Sequence, residues 1–181
     1  MIPKAFRMAP ELVVSQWFNT QKDITLEQLR GKVVVIEAFQ MLCPGCVAHG
    51  LPQAKAVHES FSREQVAVIG LHTVFEHHAA MTPVSLEAFL SEYGISFPVG
   101  VDEAGATDIP KTMQAYGMRG TPSLVLIDGA GCLRAQYFGQ VSDLRLGAEI
   151  ATLIAEIGNP AGSGSNNPTD AGCDNEGCPV S

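Results

Sequence analysis

The sequence predicts an α/β fold in which helices cover both faces of a central mixed β-sheet, a three-layer sandwich. Three observations carry this expectation. Residues 33–39, VVVIEAF, and 66–75, VAVIGLHTVF, are nearly continuous apolar runs rich in β-branched side chains, the pattern of strands buried on both faces. Segments of helical character separate these strands, and helical crossovers join parallel neighbours. Further on, TPSLVLID (121–128) and CLRAQYFG (132–139) flank a tight GAG turn, so a β-hairpin adds antiparallel strands to the parallel core.

Taken in order, LVVSQWF (12–18) reads as a short first strand, and DITLEQLRGK as a turn of helix closed by Gly31. The buried run 33–39 follows. Residues 46–61, CVAHGLPQAKAVHESF, have helical character, with a bend expected at Gly50 and Pro52. After the second buried strand, Thr82 is placed to cap a helix, Pro83 takes its first position and Gly94 ends it. FPVGVD (97–102) is a short strand, and a helix runs from about Pro110 to Tyr116. Beyond the hairpin, a last helix starts at Ser142 and carries Leu146, Ile150, Leu153, Ile154 and Ile157 on one face. From Gly158 onward the sequence is Gly, Ser, Asn and Pro without apolar periodicity. The expected division is a domain over 1–158 and a flexible tail over 159–181.

Composition narrows the function. The chain has 181 residues, enough for a full core, and is 46% hydrophobic and 17% charged, as soluble globular proteins are. Its formal charge of −8 and the lack of any basic run argue against nucleic acid and membrane surfaces as partners. The longest apolar run contains Glu37 and is too short to span a bilayer. The first residues show neither a continuous apolar stretch nor a small-residue cleavage site. A cytoplasmic location is therefore expected, with a trimmed secreted form as the alternative. Five cysteines are too few for a disulfide scaffold at this length.

Two of them form the Cys43-Pro44-Gly45-Cys46 motif. A closed zinc site needs a second such pair, and the only other close pair, Cys173 and Cys178, lies in the tail. The motif follows a buried strand and opens a helix. Cys43 is thereby expected beside unpaired helix N–H groups and the positive end of the helix dipole, which favour a thiolate. Cys46, one turn on, is placed to attack a mixed disulfide formed at Cys43.

VVVIEAFQMLCPGC followed by GTPSLVLID resembles the thioredoxin superfamily, in particular its TlpA/ResA-type thiol–disulfide oxidoreductases, over about residues 10–157. The resemblance implies a thioredoxin-like fold, and residues 82–102 look like the helix-strand insertion of that branch. It also implies a cis proline at Pro122 facing the cysteines, with the Thr121 backbone pairing with substrate. Pro44 and Gly45 then border the same groove. The dipeptide is the reverse of thioredoxin's Gly-Pro, and Leu42 stands where an aromatic residue is common. The dipeptide tunes thiolate stability, so the direction of reaction is left open.

Several further residues are candidates. Glu37, where thioredoxin has a buried acid, is expected to have a raised pKa and to accept the Cys46 proton, with a partly solvated structural acid as the alternative. His49 lies on nearly the same helix face as Cys46 and is either auxiliary to it or simply solvated. His72, Glu76 and His78 alternate onto one face at a strand end, as a metal site, a substrate groove or a plain polar end. Cys132 receives no redox role. Cys173 and Cys178 can form a disulfide, bind a soft metal or reach the main pair, or do nothing.

The function expected is reduction of protein or small-molecule disulfides, with an upstream dithiol or glutathione as electron donor, no cofactor and no resident metal. The rival enzyme is a peroxiredoxin-like thiol peroxidase. Its P-x-x-x-T-x-x-C pattern is not met, because Ile36 and Gln40 stand at the proline and threonine places. A metal-handling thiolate protein is a second alternative, and a thioredoxin fold serving only as an interaction module is a third.

Overall fold

The structure, a computed structural model, describes residues 7–158. Six strands form one sheet: β1 (Val14–Phe18), β2 (Val33–Phe39), β3 (Val66–His72), β4 (Val99–Asp102), β5 (Ser123–Ile127) and β6 (Leu133–Phe138), in spatial order β1-β4-β3-β2-β5-β6. β2 lies parallel to β3, from Val33↔Val66 to Phe39↔His72, and antiparallel to β5. β3 and β4 are parallel, and β5 and β6 form the expected hairpin. β1 adds an antiparallel edge against β4, a pairing its own sequence gave no sign of.

Every residue of β2 is buried. Side chains alternate along a strand, so Val33, Val35 and Phe39 join a core with Leu51, Leu86, Leu146 and Ile150, whereas Val34, Ile36 and Ala38 join a second core with Leu26, Met113 and Tyr116. The first core is roofed by α1 (Leu51–Ser60), α2 (Pro83–Glu92) and α4 (Asp143–Gly158), the second by α3 (Lys111–Tyr116). This is the three-layer thioredoxin-like sandwich, with α2 and β4 as the inserted pair.

Three local expectations are corrected. The segment before β2 is a series of turns, not a turn of α-helix: Leu29, Arg30 and Lys32 N–H groups reach carbonyls three residues back, and Gly31 (φ 84°) ends the run. β3 stops at His72, where the Thr73 N–H makes the last rung to the Phe39 carbonyl at the end of β2 and the Thr73 hydroxyl turns to Asp102. The helix after the cysteines widens into a π-helical turn (Cys46–Gly50) before α1. Pro52 has no N–H to give, and a wider turn is one way to absorb that loss.

Buried Asp102 ties the sheet to the second helical layer. It accepts from the Thr112 and Met113 N–H groups at 2.8 and 2.9 Å and from the Thr73 hydroxyl at 3.0 Å. At α2 the Thr82 hydroxyl accepts from the Ser85 N–H at 3.3 Å, with Pro83 behind it. Among the described residues no helix is long and apolar enough to cross a membrane.

Candidate active site

β2 ends beneath the cysteine motif. A tight turn returns the Cys43 N–H to the Gln40 carbonyl at 3.2 Å, and the Cys46 and Val47 N–H groups then both reach the Cys43 carbonyl at 3.1 Å. Cys43 is therefore the residue on which the helix starts. It is half-buried, whereas Cys46 is fully buried. Across from the motif, the Thr121–Pro122 peptide is cis. The Cys43 Sγ–H donates to the Thr121 carbonyl at 3.5 Å. Gly45 faces Pro122 so closely that an added Cβ would lie 3.2 Å from Pro122 Cδ, while Pro44 is exposed.

The two thiols are driven apart electrostatically. Burial works against ionising Cys43, but hydrogen bonds from the Cys46 thiol and from the Cys46 and Gly45 N–H groups outweigh it and hold Cys43 below the ordinary thiol value. Burial, reinforced by the Cys46 thiol's donation to Cys43, pushes Cys46 up to about 12.

Glu37 projects from the middle of β2 toward the π-helical turn. It is buried, its Oε1 has no hydrogen-bond partner, and burial followed by the charge of Cys43 raises its pKa well above the usual carboxylate range. A side chain at Gly50 would collide with this carboxylate and come within 3.0 Å of Pro122 Cβ. Glu37 also borders a cavity of about 200 Å³, whose other walls include His49, Gln53, Pro122, Gln140 and Asp143. That volume is large enough for several waters beside the unpartnered Glu37 Oε1.

The structure thus brings Cys43, Cys46, Glu37, Pro44, Gly45, Thr121 and Pro122 together, with His49 exposed at the cavity. It does not bring His72, Glu76 and His78 onto one face: His72 is buried against Phe39, its ring nitrogens unpaired and its pKa lowered by burial to about 4, whereas Glu76 and His78 are exposed after the strand has ended. Among the described residues no group of three or more His, Cys, Asp or Glu is placed to hold a metal ion. Cys173 and Cys178 lie outside the described residues. Sequence reasoning missed Gly50 as a site residue, although a glycine inside the cysteine-bearing helix was the available signal. Gln140 and Asp143 carried no such signal, since they reach the cavity from the corner between β6 and α4.

Comparison with known proteins places this geometry in company. The family model described as the AhpC/TSA family matches residues 7–136. A crystal structure of a thioredoxin-like superfamily protein is 66% identical, superposes with a TM-score of 0.82, and is matched over 84% of this chain and 98% of its own. That of a thiol-disulfide isomerase from Corynebacterium glutamicum is 50% identical, with a TM-score of 0.77 over 82% of this chain and 97% of its own. Protein DipZ of Mycobacterium bovis is 31% identical over 163 residues, which are 88% of this chain but only 22% of that protein.

Proposed function

The chain belongs to the AhpC/TSA family of thioredoxin-like proteins, and on that premise we propose that it is a thiol–disulfide oxidoreductase that reduces disulfides through Cys43 and Cys46. The observation that carries this reading is the unequal pair itself: a half-exposed thiol below its ordinary pKa, with a buried thiol behind it and the Thr121 carbonyl 3.5 Å in front. The 50% identity to a thiol-disulfide isomerase supports the same chemistry.

In this reading the Cys43 thiolate attacks one sulfur of the substrate disulfide, and the other sulfur leaves as a thiolate. An extended substrate segment pairs with the Thr121 backbone, in the groove bordered by Pro44, Gly45 and Pro122. Cys46 then loses its proton to Glu37 through cavity water and attacks the Cys43 sulfur, which frees the second substrate thiol. Two electrons have moved to the substrate, and a Cys43–Cys46 disulfide remains. A dithiol protein or glutathione restores the pair, so no organic cofactor is invoked. His49 is an auxiliary group at the cavity mouth. The cytoplasmic location expected from the first residues draws no support from these relatives, and the proposed chemistry holds in either compartment.

The test is a trapping experiment joined to a potential. Cys46→Ser should accumulate mixed disulfides with substrate proteins and Cys43→Ser should not. A reduction potential near or below −200 mV, in the range of reducing dithiols (roughly −200 to −270 mV), is the expected value. A strongly oxidising potential of about −120 mV reverses the direction.

A further inference from the structure

The loop that carries Thr121 is itself held by an exposed aromatic residue. Phe138 ends β6 opposite Ser123, and the next residue, Gly139, donates its N–H to the Pro122 carbonyl at 2.9 Å. The Phe138 ring lies against Gly120, where it fills the space of a Cβ: that atom would sit 2.9 Å from Phe138 Cε2. Gly120 is further fixed because its carbonyl accepts from the Ser123 hydroxyl at 2.7 Å. Despite this anchoring, Phe138 is 53% exposed. Arg119 stacks its guanidinium over the ring, 5.2 Å from the centroid. Arg119 is exposed, and among the described residues no carboxylate lies within ion-pair distance of it. Leu42, 57% exposed, precedes Cys43 in the chain.

We propose that Arg119 and Phe138 form a docking surface for an extended, disulfide-bearing polypeptide segment that carries an acidic side chain near its reacting cysteine. The proposal rests on the disulfide-reductase reading and names its substrate class. A segment running along the Thr121 backbone passes over Gly120 and meets the Phe138 ring, which offers apolar contact at little entropic cost. A guanidinium already stacked on a ring keeps its in-plane N–H donors free and oriented, the arrangement suited to a carboxylate. On the cavity side of Pro122 the carboxyl groups are of the opposite kind, Glu37 and Asp143. The two ends of the groove therefore differ in sign, which selects the orientation of a segment with an acid on one flank. In a chain of net charge −8, Arg119 is a local reversal of the general repulsion toward acidic partners.

Two synthetic peptides of the same composition test this, one with glutamate before and lysine after a single cysteine and the other with the two exchanged, each joined by a disulfide to 5-thio-2-nitrobenzoate. The Cys43 thiolate of the full reduced chain attacks the peptide sulfur, the mixed bond breaks, and thionitrobenzoate leaves with the electron pair and is read by its absorbance. Cys43→Ser supplies the background from other thiols. The order that sets glutamate beside Arg119 should react faster than the exchanged order by about fivefold, the factor a rim charge of ordinary strength gives. The ratio should fall toward one in Arg119→Gln and in high salt, and should persist in Arg63→Gln, a charge removed from a distant exposed loop. Phe138→Ala should slow both peptides. Equal rates in the unaltered chain, or a ratio that survives Arg119→Gln, overturn the recognition surface alone. Failure of both peptides to react while iodoacetamide still alkylates Cys43 removes the reductase reading, and the surface with it.

Discussion

Cys43 and Cys46 carry the same thiol three residues apart, and their surroundings move them in opposite directions. Hydrogen bonds to the sulfur outweigh burial at Cys43, whereas burial and donation to Cys43 lift Cys46 to about 12. In the reduced chain at pH 7, Cys43 should therefore alkylate faster than Cys46 by at least ~100-fold, because only the thiolate reacts. Peptide mapping after a short iodoacetamide pulse measures this, and a faster Cys46 reverses the assignment of attacking and resolving thiols. Glu37 supplies a second residue-scale prediction, with a sign that follows from its raised pKa. Below that pKa the acid is already neutral and Gln mimics it. Above it the ionised form alone can take a proton. The loss of Cys46 resolution in Glu37→Gln should thus widen as pH rises, and a rate deficit independent of pH between 5 and 9 (a span of ~4 units around neutrality) removes the proton-transfer role. Stability runs the other way. A carboxyl whose folded pKa is raised favours the fold below its unfolded value of about 4.3 and loses that contribution as pH climbs toward the folded value. Glu37→Gln should gain stability over the unaltered chain across that window, by about 1–3 kcal/mol at its upper end. Denaturant melts at several pH values report the difference.

At the scale of elements, the π-helical turn Cys46–Gly50 is where helix geometry yields to the site. Its last residue must be glycine, because Glu37 and Pro122 occupy the space of a side chain there. Gly50→Ala would normally favour a helix. Here it should destabilise the chain by about 1–3 kcal/mol, the cost typical of overpacking. It should also slow mixed-disulfide resolution, since the methyl group displaces Glu37 from the cavity. A neutral or stabilising effect in urea melts contradicts the close approach. The pattern of Gly50 and Pro52 announced an irregular helix, but a bend and a widened turn satisfy the same residues. Only the carboxylate below and the proline opposite distinguish them.

For the whole molecule, Asp102 joins β4, the end of β3 and the start of α3 through three hydrogen bonds. Its pKa is raised because burial outweighs those bonds, so the charged form is held at some cost. Removal is worse than retention, since Asp102→Ala leaves two buried N–H groups without partners. A loss of about 2–4 kcal/mol in a urea titration is expected. Cys43 reactivity should change little, because the residue acts on the far side of the sheet from the first core. A melt within ~0.5 kcal/mol of the unaltered chain would show that water replaces the carboxylate.

The sandwich is legible in the residues alone, because apolar runs too long for one-sided burial and the helices between them leave few other arrangements. The same runs placed Cys43 at a helix start, and with it the direction of its pKa shift. Thr121 and Pro122 were legible only through likeness to a family, since nothing in GTPS says what it faces. Contacts between distant segments follow from packing instead. β1 pairs with β4 rather than elsewhere because a short strand carries no register of its own. His72, Glu76 and His78 share an alternation but not a face, because β2 ends at Phe39 and β3 loses that neighbour after the Thr73–Phe39 bond, before Glu76 is reached. Glu37 faces a cavity closed by Gln140 and Asp143, roughly a hundred residues on, and Arg119 and Phe138 meet over Gly120. Local pattern reflects which side of an element is buried; what lies against that side is fixed by how the elements pack.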